Sequence, residues 1–217
     1  MIISANTVRL FLMRHGETKD NRQMRYIGRR DEPLTETGMR QADQAAQVFS
    51  QISIDKIIAS PRRRTVETAG IVSKACAIEL QLDERLVEGS FGNWEGLTRD
   101  EVMNRSAEDF RLLQQWESDP EFPPPGGESI VSVQKRALGL ADELLSKASG
   151  ASIILVSHVG PIKALLAAVM GVPLQASRRL FLDPASISVV DWGAHPFVRL
   201  VNSHSHMGWN SARWMRQ

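Results

Sequence analysis

The chain has 217 residues, 42% of them hydrophobic and 24% charged, and 26 basic against 25 acidic side chains leave a net charge of +1. That balance excludes intrinsic disorder and provides no bulk field to draw the protein to nucleic acid or a membrane surface. A single cysteine, Cys76, excludes an intramolecular disulfide framework and a multi-cysteine zinc site, and reads as a small buried hydrophobe. No run approaches the ~18 apolar residues of a membrane span, and the start lacks the basic and long apolar regions of a signal peptide, so a cytoplasmic protein is expected.

In chain order, residues 8–13 read as a buried strand and 35–52 as a helix with Ala42, Ala45, Ala46, Phe49 and Ile52 on one face. Residues 56–60 form a second strand, followed by a helix opening at Ser60-Pro61, where serine suits the N-cap and proline the first turn. A third strand spans 78–82. Thr98-Arg-Asp-Glu101 matches a capping box and starts a helix. The Pro- and Gly-rich segment 118–128 is a loop. A long helix over 129–147 points Ile130, Val133, Ala137, Leu140, Ala141 and Leu144 inward. Residues 152–156 are the strongest strand, and the helix over 161–170 stops at Gly171 and Pro173. Two final strands, 186–192 and 197–201, flank a Gly193 turn. Strands interleaved with helices predict an α/β three-layer sandwich with a mostly parallel central sheet. One domain is expected over residues 1–217, with a core at about 8–201 and a polar tail at 202–217.

Ligands in such folds sit at the carboxyl ends of strands. Three such ends carry Arg14-His15-Gly16-Glu17, Ser60-Pro61-Arg62-Arg63-Arg64 and Ser157-His158-Val159-Gly160-Pro161. Twenty arginines against six lysines, nine of them within residues 9–30 and 62–64, reinforce the convergence. A planar guanidinium binds phosphate bidentately, which an ammonium cannot do. A neutral imidazole attacks phosphorus well, and flanking arginines hold the phosphoryl oxygens while disfavouring the imidazolium. The leaving alkoxide needs a carboxylic acid nearby. The sequence holds no phosphate loop, dinucleotide fingerprint, nucleophile elbow or His-Glu-x-x-His pair.

Leu12-Met-Arg-His-Gly-Glu-Thr18 resembles the signature of the histidine phosphatase superfamily, which includes the phosphoglycerate mutases. Five further segments follow at compatible spacing: Asn21 to Ala42, Ser60 to Ala69, Leu86 to Gly96, Gly126 to Ser129, and Ser157 to Pro161. The resemblance implies a phosphoglycerate mutase-like fold and assigns roles. His15 corresponds to the phosphorylated nucleophile, Arg14 and Arg64 to phosphate ligands, and His158 to a second histidine donating to a phosphoryl oxygen. Glu88 aligns with the general acid, with Glu95 as its rival. Asn21, Tyr26, Gly28 and Val159 are expected at the phosphate or substrate. No metal or cofactor is implied. Arg62 and Arg63 read as rim residues, Glu17 as structural, His204 and His206 as part of a polar tail docked by Trp209 and Trp214, and Trp94 and Trp116 as core or pocket wall.

The expected activity is hydrolysis of a small phosphomonoester through a phosphohistidine. The segments 156–163, 182–188 and 198–202 resemble the α-ribazole phosphatase-like group, some members of which are fused to ribonuclease H. That second activity is not expected here. The alternatives are a cofactor-dependent mutase and a non-catalytic module binding phosphorylated ligands. The mutase is disfavoured by a short segment bearing Glu108, Asp109, Glu117, Asp119 and Glu121, which would repel a bisphosphorylated ligand if turned inward. No nucleic-acid or membrane partner is expected, and a homodimer stays open.

Overall fold

Two short apolar runs, at residues 10–13 and 153–156, lie side by side in parallel strands at the centre of a sheet. In a computed structural model describing residues 6–209, they are β1 (Thr7–Arg14) and β4 (Ser152–Ser157). With β2 (Lys56–Ala59), β3 (Leu80–Leu82), β5 (Ile187–Gly193) and β6 (Phe197–Ser203), they form one sheet in the order β3-β2-β4-β1-β5-β6. The first four of that order run parallel, while β5 and β6 are antiparallel additions at one edge.

Alternation along the strands explains why both faces are covered. Leu10, Leu12, Ile153 and Leu155 point to one side, against α6 (Ile130–Lys147) and α7 (Val159–Met170). Phe11, Met13, Ile154 and Val156 point to the other, against α2 (Glu36–Phe49) and α3 (Arg63–Cys76). Each fully buried leucine in these layers contributes about 1.5–3 kcal/mol. A short α1 (Lys19–Arg22), α4 (Arg99–Arg105) and α5 (Ala107–Ser118) complete the helices. The last two pack with Trp94 into a separate apolar cluster around Val102 and Leu113.

The architecture is the expected α/β sandwich, and several local expectations need correction. The helix after β2 begins at Arg63, not at Ser60-Pro61. The Ser60 amide donates to the Val156 carbonyl and so prolongs the sheet, which leaves no side-chain cap on α3. Ile52 lies past the end of α2 and is exposed. Cys76 is only partly buried, at the rim of one core layer. The helix capped by Thr98 stops at Ser106, whose hydroxyl caps the next one. β6 extends to Ser203, and His204 is buried, so the segment from 202 to 207 is part of the folded body. Trp209 packs edge-on against His204 while largely exposed, and Trp214 lies outside the described residues.

Candidate active site

Three parallel strands deliver the site. Arg14 ends β1, Ser60 follows β2, and His158 follows β4 as the N-cap position of α7. His15 and His158 are both buried, with ring centroids 5.1 Å apart and planes tilted by 60°. The Gly16 carbonyl accepts from His15 Nδ1 at 2.8 Å, which places the proton there and leaves the lone pair on Nε2. Burial, then Arg64, then Arg14 hold His15 well below its ordinary pKa of 6.5, so the ring is neutral. A neutral ring with a free Nε2 lone pair is the form a nucleophile needs.

Arg64 is 1% exposed, and each of its three side-chain nitrogens donates one hydrogen bond. It donates to the carbonyls of Gly28 and Arg30, each at 2.8 Å, and to His158 Nδ1 at 3.2 Å. Arg14 donates to the Leu182 carbonyl at 2.6 Å. Two buried, backbone-anchored guanidiniums thus stand beside His15, an electrostatic preorganisation for a phosphoryl group. Both ring nitrogens of His158 are engaged by protein partners. Its Nδ1 accepts from Arg64, so its Nε2 carries the proton and donates to Ser60 Oγ at 2.9 Å. Desolvation and Arg64 hold this ring neutral too. The hydroxyl that sequence placed at a helix cap is therefore used to orient an active-site histidine.

Glu88 reaches the same pocket from the loop after β3. Its carboxylate accepts from the backbone N–H of Gly160, at the start of α7, at 3.1 Å and from that of Gly89 at 2.9 Å. A Cβ on Gly160 would overlap Glu88 Oε1, so only glycine allows this approach. Glu95 is occupied elsewhere, accepting from Ser90 Oγ and the amides of Phe91 and Arg29, and it braces the 90–95 loop. Gly28 has φ +54°, and a Cβ there would overlap the Glu95 carboxylate. Its role is to turn its carbonyl onto Arg64.

A pocket of about 370 Å³ is lined by Arg14, His15, Asn21, Tyr26, Gly28 and Arg64, and also by Glu88 and Val159. Eight of the nine sequence-predicted site residues line this pocket, and the ninth, His158, packs its ring against that of His15. Asn21 sits in a capping box with Thr18 that pins its backbone. Tyr26 stacks on Phe91 with centroids 4.7 Å apart, and burial pushes its hydroxyl up to about 12. Arg63 is exposed and pairs with Glu67, and Glu17 pairs with Arg22, in keeping with rim and structural roles.

A family model described as the histidine phosphatase superfamily, branch 1, matches residues 10–203. The chain belongs to this superfamily. The bifunctional protein Rv2228c of Mycobacterium tuberculosis is 38% identical over 202 residues, which is 92% of the chain and 55% of that protein. The chain thus spans about half the length of that relative. Phosphoserine phosphatase 1 of Hydrogenobacter thermophilus is 36% identical over 93% of the chain and 95% of its own length. The α-ribazole phosphatase structure from Shigella flexneri superposes with a TM-score of 0.80 at 28% identity, covering 90% of the chain and 96% of that structure. The Hydrogenobacter and Shigella relatives are both named as phosphatases.

Three participants escaped the sequence reading. Ser60 stands in its motif, where its N-cap preference points to the helix rather than to His158. The Leu182 carbonyl carries no side-chain signal at all. Lys163, the one charge in the otherwise apolar α7, lines the pocket and was detectable as a lone cation on a core helix. The five acidic residues between 108 and 121 do not line the pocket: Glu117 pairs with Arg99, Glu108 with Arg111, and Asp109 accepts from Trp94 and Ser106. His206 Nε2 meets the Ala185 carbonyl, and among the described residues no group of three His, Cys, Asp or Glu side chains is placed to hold a metal ion.

Proposed function

We propose that the protein hydrolyses phosphomonoesters of small metabolites through a phosphohistidine at His15. The supporting observation is the neutral, Nδ1-protonated His15 set between two buried, backbone-anchored guanidiniums. His15 Nε2 attacks phosphorus, the P–O bond to the leaving group breaks, and Glu88 gives that oxygen its proton. Glu88 then takes a proton from water, whose oxygen attacks the phosphohistidine and releases inorganic phosphate. Arg14 and Arg64 neutralise the phosphoryl oxygens in both steps, with Asn21 and His158 completing the cradle. For His158 to donate, the arriving phosphoryl group must draw Arg64 away from Nδ1 and shift the ring proton, with Ser60 Oγ turning from acceptor to donor. No step requires a metal.

The substrate is drawn from a broad set of small phosphorylated metabolites, handled by one catalytic domain in the cytoplasm. The test is hydrolysis of a chromogenic aryl phosphate. Wild type should turn over in the presence of chelator, and His15→Ala should lose both turnover and acid-labile phosphate trapping. Full activity in His15→Ala, or turnover that depends on added bisphosphoglycerate, would overturn the proposal.

A further inference from the structure

Beside the catalytic pocket lies a second cavity of about 160 Å³, which shares Glu88, Phe91, Val159 and Lys163 with it. Its walls are mostly apolar, built from Phe91, Trp116, Ile130, Val133 and Leu174. Two cations also line it, opposite in charge to the Glu88 and Glu128 carboxylates. Arg178 stacks over the Trp116 ring with its guanidinium carbon 4.1 Å from the centroid and donates to the Trp116 carbonyl. Lys163 sits on α7 between the buried Ile162 and Ala164. Among the described residues, neither cation is within ion-pairing distance of a carboxylate, although fourteen arginine pairs and one lysine pair occur elsewhere.

A half-buried ammonium in an apolar cavity next to two arginines is costly unless something compensates it. The phosphoryl group is already served by Arg14 and Arg64, so Lys163 is surplus to that task. Given the phosphatase reading above, we infer that this cavity holds the leaving group, and that Lys163 selects alcohols carrying a carboxylate on a flat, largely apolar body. The aromatic walls suit a planar group, and charge-assisted hydrogen bonding to Lys163 supplies orientation. A carboxylate fits better than a second phosphoryl group, because the Glu88 and Glu128 carboxylates line the same cavity and oppose a dianion.

The lysine is poised to make this preference pH-dependent. Burial, Arg14 and Arg178 push it down to about 8, against the opposing pull of Glu88. The experiment compares kcat/KM for 3-carboxyphenyl phosphate and its neutral isostere, 3-carbamoylphenyl phosphate, at pH 6.5. Wild type should favour the carboxylate at least tenfold, a ratio that Lys163→Gln brings close to one and Lys163→Arg largely restores. The wild-type ratio should also shrink as pH rises through about 8. Turnover of both esters with a ratio that is near one, or that Lys163→Gln leaves intact, overturns the subsite and leaves the phosphatase standing. Turnover of neither ester takes down the phosphatase reading and the subsite with it.

Discussion

Mild acid should destabilise this protein through its own active site. His15 and His158 are fully buried and held neutral, well below the ordinary value of 6.5, by desolvation and by Arg64. The unfolded chain binds a proton on each near ~6.5. Below that pH the unfolded state carries more protons than the folded one. The stability these rings confer is therefore present above ~6.5 and is lost as pH falls from there towards the folded-state values. A histidine that stays neutral in the fold loses about 1 kcal/mol of stability between about pH 6.5 and 5.5, and the pair about 2 kcal/mol. Urea unfolding of wild type, His15→Asn and His158→Asn at those two pH values measures the effect. Each variant should lose about 1 kcal/mol less than wild type over the interval, with carboxylate contributions cancelling in the comparison. Identical losses in all three proteins would refute the claim that these rings are buried in the neutral state.

Three other outcomes follow from the site. Glu88→Gln should slow alkyl phosphates by about 100-fold or more and aryl phosphates far less, since good leaving groups barely need an acid. Equal slowing of both in a kcat comparison, or the same signature from Glu95→Gln, would show the acid misassigned. Gly160→Ala adds a Cβ that displaces Glu88 while suiting a helical position, so thermal stability should hold or rise by up to about 1 kcal/mol as alkyl phosphate turnover falls. Gly28→Ala forces a side chain into φ +54° against Glu95 and should cost about 1–2 kcal/mol in urea unfolding, with loss of activity through Arg64.

Continuous apolar runs announced the central strands, and helical apolar patterns announced α2, α6 and α7, because their burial is strong and their neighbours simple. Boundaries failed where a residue had two possible employers. Ser60 has the chemistry of an N-cap, but backbone pairing with Val156 and the His158 ring claim it first. The end of the helix begun at Thr98 went unread because Ser106 closes it and its hydroxyl caps the next. The charged site side chains were legible since few residue types can bind phosphate. The backbone carbonyls that aim them, from Gly28, Arg30 and Leu182, were not, because a carbonyl is common to every residue and its direction is decided by tertiary structure.

The reversal of β5 has a practical consequence. Because β5 enters at the end of the sheet where β1 leaves, the segment before it brings the Leu182 carbonyl to Arg14 without another crossover helix. The same reversal sends the hairpin at 194–196 to the opposite end, beside Thr7, which pairs with Gly193. With a rise of about 3.3 Å per residue along β1, that hairpin stands roughly 23 Å from the chemistry. A fluorophore, affinity tag or surface tether grafted there would leave the mouth of the pocket open to substrate.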